Sequence, residues 1–210
     1  MLRLIALVTM LIDHIGAVFF PQYIFFRIIG RIAFPLFAWG VARGYRHTRN
    51  IWLYAARLLV LGLIAQYPYM QLFDTKVLNI CFTLFVSLIV LKLYDSKNKI
   101  IAYTGVIGVL ALTVLLELKL GLVLEYQLYG ILTVLFFHIF WGRYELVLYQ
   151  GILTLAGTFI YNFHIIQCYS VISSLLVLTL EKYDFRLNKV LTYGFYPLHI
   201  IILWLLKMQA

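Results

Sequence analysis

The sequence predicts an all-α, polytopic integral membrane protein with about eight or nine transmembrane helices and a cytoplasmic N-terminus. Three observations carry that expectation. Of its 210 residues 64% are hydrophobic and only 12% charged, where a soluble domain is about half apolar and a quarter charged. Mean hydropathy is +0.97, and 16 Phe and 16 Tyr add apolar surface suited to lipid or helix neighbours. The cations, finally, are sorted along the chain by position. Disorder, a fibrous repeat and a secreted disulfide scaffold are excluded. At about 20 residues per crossing no room is left for a folded soluble domain, so residues 1–210 read as a single transmembrane domain.

Apolar runs fall near 4–20, 22–46, 50–72, 78–94, 99–117, 126–141, 143–161, 165–181 and 188–207. The first follows Arg3 and turns at Phe20-Pro21-Gln22; the second ends among Arg43, Arg46 and Arg49. The third closes before Lys76, the fourth before Lys97 and Lys99, and the fifth before Lys119. Arg143 divides the sixth from the seventh, Lys182, Arg186 and Lys189 divide the eighth from the ninth, and Lys207 closes the last. Several runs are short enough to be tilted or re-entrant, hence eight or nine.

With the N-terminus inside, Arg3, Arg43, Arg46, Arg49, Lys97, Lys99, Arg143, Lys182, Arg186 and Lys189 fall on the inner side, ten of the seventeen cations. The outer segments keep only Lys76, Lys119 and Lys207. The net charge of +9 is therefore mostly topological, and no nucleic-acid partner is needed to explain it. A cleavable signal peptide is the competing reading of the first run, but no small-x-small site follows and Asp13-His14 interrupts it. Cys81 and Cys168 have no metal-ligand spacing and read as free thiols. No phosphate-binding loop, dinucleotide fingerprint, HExxH or GxSxG is present, so nucleotide hydrolysis and zinc chemistry are unsupported and no metal is expected.

Asp13, His14, Arg27, Arg31, Arg57, His138 and His199 remain inside the runs. Each ionised group at mid-bilayer costs roughly 2.5–3.5 kcal/mol, which favours pairing around a cavity. With a turn at Pro21, the helical rise of about 1.5 Å per residue puts Asp13, His14, Arg27 and Arg31 in one layer. Arg27 and Arg31, four apart, are expected to bracket an anion, for which Asp13 is the resident partner. Because neighbouring helical residues point about 100° apart, one of Asp13 and His14 is expected to meet the arginines while the other faces a cavity. The bland reading is an ion-pair staple fixing the hairpin; the functional one adds His14 as a general base.

The last run supplies Tyr193, Tyr196, Pro197 and His199, with His199 placed to meet that layer and Pro197 expected to kink the helix beside a polar pocket. Gly40 and Gly44 form a GxxxG whose expected meaning is close helix packing. Asn79 and Thr83, four apart, are expected to hydrogen-bond across helices, while Arg57 and His138 sit near the inner ends of their runs.

Asp13-His14-Ile15-Gly16, then Arg27-Ile-Ile-Gly-Arg31-Ile-Ala-Phe34-Pro35 and Gly44-Tyr-Arg46-His47-Thr48-Arg49-Asn50, resemble the TraX family of bacterial membrane proteins. The likeness continues through Gln66-Tyr67-Pro68, Asn79-Ile-Cys-Phe-Thr83, Tyr129-Gly130 and Phe195-Tyr196-Pro197-Leu198-His199, with Ser87 standing where a glycine is expected. Residues 88–125 and 142–187 carry only hydropathy. The resemblance implies acyl transfer in a bacterial inner membrane: acetyl-CoA as co-substrate, and a conjugative-pilin N-terminus or other amine or hydroxyl as acceptor. It implies His14 as catalytic base, Asp13 as its support or an orienter of His199, and Arg27 and Arg31 as stabilisers of the thioester oxygen or of an anionic group. Tyr196 and Asn79 join them as substrate contacts. Arg43, Arg46, Arg49 and Arg57 form a candidate basic mouth for the phosphates of CoA, although the positive-inside rule alone accounts for them as well.

Two other classes compete. Asp, His and Arg in one layer also make a proton relay, as in a proton-coupled transporter, although no half-to-half symmetry of the runs supports one. A non-catalytic assembly factor would need the layer only as a staple.

Overall fold

A chain this apolar hides its backbone by bonding it within helices, and the caps are written into the sequence. Asn50 accepts from the Leu53 N–H, Asn98 from Ile100 and Asn188 from Val190, each starting a helix. The computed structural model describes residues 1–185 and 187–209, without the Lys189 side chain; the expected inner positions of Arg186 and that side chain lie outside the described residues. In chain order the α-helices are α1 Leu2–Phe19, α2 Ile24–Gly30, α3 Ala33–His47, α4 Ile51–Phe73 and α5 Ile80–Tyr94. They continue as α6 Lys99–Leu120, α7 Gln127–Ile139, α8 Glu145–Ile160, α9 Ile172–Leu180 and α10 Lys189–Lys207, with 3₁₀ segments Ile165–Val171 and Glu181–Tyr183 flanking α9.

Among the described residues six segments are long and apolar enough to cross a membrane: Leu2–Phe19, Ile24–His47, Ile51–Phe73, Lys99–Leu120, Ile165–Tyr183 and Val190–Lys207. The shorter apolar helices are α5, α7 and α8. Their shortness has a structural counterpart in α5 and α7, which lie among other helices; Leu88, Leu91, Ile131 and Phe137 are almost wholly buried there with Trp39 of α3. In α6, by contrast, only Ala102 and Thr113 are buried, leaving most of its apolar surface facing outward.

The second apolar run is not one helix. It breaks at Arg31-Ile32, between α2 and α3. Pro35 cannot bond back to the Arg31 carbonyl, and Gly30 lowers helix stability one residue earlier, so the break has a local cause. Glycine also lets the hairpin close: a Cβ at Gly30 would lie 2.0 Å from Asp13 Oδ1, and one at Gly16 would lie 2.1 Å from Phe26 Cβ. The GxxxG expectation holds only at Gly44, where a Cβ would come within 2.8 Å of the Tyr54 hydroxyl. At Gly40 a Cβ would meet nothing within 4 Å, because that face of α3 lines open space.

At the end of the bundle that carries Arg3, Asp184 holds Arg43 at 2.8 Å and Arg3 at 3.6 Å, tying α1 and α3 to the segment before α10. At the opposite end the connections after α4 and α6 zip together. Leu78 N–H donates to the Val123 carbonyl at 2.8 Å, Glu125 N–H donates to the Leu78 carbonyl at 2.9 Å, and Thr83 adds a hydroxyl bond to the Glu125 carbonyl at 2.6 Å.

Candidate active site

Asp13 and His14 divide as their helical phase requires. The Asp13 carboxylate faces α2, taking Arg27 Nη1 at 2.8 Å and Arg31 Nη2 at 3.0 and 3.1 Å. The anion that the two arginines bracket is thus Asp13. Arg31 is held from further sides, its Nε donating to the Arg27 carbonyl at 3.1 Å and its Nη1 to Gln167 Oε1 at 3.2 Å. Arg27 has the more open side chain and keeps donors for the cavity.

His14 turns the other way, toward α10. Its Nδ1 lies 2.8 Å from His199 Nε2, and the rings stack at 5.0 Å between centroids. His199 Nδ1 lies 2.8 Å from the Phe195 carbonyl, which can only accept, so that nitrogen carries the proton. For two neutral imidazoles His199 Nε2 is then the acceptor, His14 Nδ1–H the donor, and His14 Nε2 a bare lone pair. The Asp13 carboxylate bonds to the arginines and touches neither imidazole directly, so any support it gives His14 acts through space.

His14, Asp13, Arg27 and Arg31 line a cavity of about 420 Å³ that Thr75 and His164 from connecting segments and Gln127 at the start of α7 also line, at the end opposite Arg3. A smaller space of about 40 Å³ adjoins it, walled by His14, Gly30, Ala33, Glu125 and Tyr196. The Tyr196 hydroxyl is buried there with no hydrogen-bond partner, as is Glu125 Oε2. An unpartnered buried donor costs free energy in the empty protein and becomes useful when a ligand oxygen reaches it.

Glu125, Tyr69, Tyr126 and Gln167 have no place in the sequence reading. Glu125 enters the cavity because the 78–124 clasp and Thr83 fix its backbone. Burial pushes its carboxyl up to about 7; the Tyr69 hydroxyl opposes this and Asp13 adds to it. Gln167 passes the polar chain inward, its Nε2 lying 3.4 Å from the Tyr129 hydroxyl, which also meets Gln150 at 3.0 Å and Ser170 at 3.2 Å.

The remaining expected site residues lie elsewhere. Asn79, fully buried, caps α5 through Cys81 N–H and donates to the Gly62 carbonyl and Gln66 Oε1 at 2.8 Å, so its amide is spent on joining α4 to α5. The four arginines of the expected mouth do not converge. Arg43 is held by Asp184, Arg46 donates to the His138 carbonyl and lies over Trp141, and Arg57 lies over Tyr193. Arg46 and Arg49 do share a space with Lys92, but Asp95 and His138, 3.1 Å apart, line it too. Among the described residues no three His, Cys, Asp or Glu side chains converge as metal ligands.

A family model described as TraX protein matches residues 1–207. A probable fimbrial assembly protein FimC, serogroup H1, from Dichelobacter nodosus is 32% identical over 112 residues. That match covers 46% of each protein, so the chain spans about half the length of the curated relative it matches. No solved structure matches. The family match runs through every residue of the Asp13, His14, Arg27, Arg31, Glu125 and His199 cluster, and the chain belongs to the TraX family.

Proposed function

We propose that this protein is an acyl-CoA-dependent acyltransferase of the bacterial inner membrane, with the Arg3 end in the cytoplasm and an amine, such as a pilin-like protein N-terminus, as acceptor. The observation that carries this reading is the His14–His199 pair. It leaves a bare His14 Nε2 on a cavity wall, and a membrane interior keeps two imidazoles in contact only at a cost that chemistry would justify. The fimbrial name of the relative fits a pilin-linked acceptor.

The acceptor arrives through the larger cavity as an ammonium, since an α-amine has a pKa near 8. Glu125 takes its first proton. The amine nitrogen attacks the thioester carbon while His14 Nε2 takes the second proton, His199 accepting the hydrogen bond from Nδ1 as positive charge grows on the ring. The unpartnered Tyr196 hydroxyl donates to the developing oxyanion, a role it can fill more readily than arginines already held by Asp13. The carbon–sulfur bond breaks, His14 returns its proton to the CoA thiolate, and the products are the N-acyl amine and free thiol, one proton passing to solvent through Glu125.

Asp13, Arg27 and Arg31 serve here as the staple that shapes the cavity, since their charges chiefly satisfy one another. The deciding experiment incubates purified protein with acetyl-CoA and a peptide amine and follows thiol release together with acetylated peptide. Release of thiol that disappears in His14→Ala supports the assignment. Full activity in both His14→Ala and His199→Ala would overturn it.

A further inference from the structure

Another cavity, of about 130 Å³, lies between α1, α3, α4, α5 and α10 on the side toward the Arg3 end. Its mouth carries Arg3, Tyr54 and Tyr193, its walls are largely apolar, and its inner end runs to Met10, Phe37, Ile80 and Tyr196. Those four residues also wall the small space beside His14. From Arg3 to His14 is eleven residues of one helix, a rise of about 16 Å.

We infer that this slot admits the pantetheine arm of an acyl-CoA, a proposal that rests on the acyltransferase reading above. A donor whose phosphates stay in water at the mouth reaches His14 only through a slender arm of roughly that length, and Arg3, Tyr54, Thr192 and Tyr193 set polar side chains in an otherwise apolar lining for the arm's two amides and its hydroxyl. Acetyl phosphate has no such arm. Arg57, exposed and lying over the Tyr193 ring at the mouth, supplies a cation for the nucleotide end. The donor therefore enters beside α10, away from the Arg46 and Arg49 space. Gly40 lines the slot with nothing within 4 Å of a Cβ, so a larger side chain there fills the passage without first colliding with a neighbour.

The test measures binding of CoA itself to detergent-purified protein by calorimetry. Gly40→Leu is expected to weaken binding by at least about tenfold, the scale on which overfilled sites lose fit. Gly108→Leu, the same change at another glycine with open space, on outward-facing α6, is expected to stay within about twofold. Leu61→Phe narrows the slot from α4 and carries the test if Gly40→Leu does not survive purification. Equal CoA affinity in wild type and both slot variants overturns the inference while leaving the acyltransferase reading standing. It does so equally if Gly40→Leu merely releases co-purified lipid. Wild-type protein that binds no CoA overturns the acyltransferase reading and the slot's occupant together.

Discussion

His14 Nδ1 sits 2.8 Å from His199 Nε2, and the direction of that hydrogen bond is set by the Phe195 carbonyl on the far side of His199. His199 is thus a positioning residue that selects the tautomer of His14. His14→Ala should lower kcat by about 10²–10⁴, the usual contribution of a general base. His199→Gln keeps an acceptor for Nδ1–H and should retain more activity than the similar-sized but non-bonding His199→Leu. Thiol-release kinetics at saturating acetyl-CoA check the order, and equal activity in the two His199 variants would remove the tautomer argument.

Glu125 should write its titration into the pH profile. As a carboxyl pushed up to about 7 by burial, it accepts a proton only above that pH, so kcat/KM should rise through about 7 and Glu125→Gln should lose that limb. Stability moves the opposite way. The folded carboxyl holds its proton between the ordinary value of 4.5 and about 7 while the unfolded one does not, so stability falls as pH rises through that window. The ceiling on that loss is about 3 kcal/mol. Glu125→Gln should flatten it, as thermal melts at pH 5 and pH 8 would show.

Gly30→Ala pushes a methyl group into the Asp13 carboxylate, and Arg31→Ala leaves Asp13 with Arg27 alone. Overpacking costs about 1–3 kcal/mol and breaking a buried pair about 3–5. Both variants should melt well below wild type in detergent. Arg27→Ala, at the more open side of the pair, should cost less.

The space beside His14 is about 40 Å³ and is walled by Gly30 and Ala33, which suits a short acyl group. Each extra methylene in such a pocket changes discrimination by about 1–3 kcal/mol. Acetyl-CoA should therefore exceed butanoyl-CoA in kcat/KM by at least about a hundredfold. Ala33→Gly should narrow the ratio, and a competition assay with both donors reads it directly.

The orientation has its own test, in a background with Cys81 and Cys168 replaced. An impermeant maleimide should label Leu122→Cys in intact cells and Ser96→Cys only after lysis. The reverse pattern would place the Arg3 end outside and remove the cytosolic donor.

Much of this molecule was legible because lipid imposes simple rules. The runs ending near residues 72, 94 and 207 match helix ends within a residue or so, since backbone cannot leave a helix in apolar surroundings and caps gather where it does. Asp13, His14, Arg27 and Arg31 stood out because charge in an apolar run is expensive. The break at Arg31 was missed although Gly30 and Pro35 signal it, hydropathy being blind to a missing N–H. Gln150 and Gln167 were missed because uncharged amides barely lower a hydropathy average; Gln150 with Thr154 and Gln167 with Ser170, at helical spacing, were the available clue. Glu125 had no local signal at all. It reaches the cavity through pairing between residues 78 and 124, which no periodicity records.

The two imidazoles are separated by 185 residues of chain. At a synthesis rate of about 5–20 residues per second, His14 enters the membrane roughly 10–40 s before its partner exists. Through that interval α1 holds an imidazole with no fixed tautomer beside a cavity that lacks its α10 wall. With His14 as the base proposed above, its tautomer is fixed only on the arrival of α10, and a ribosome-bound chain would be an inert precursor.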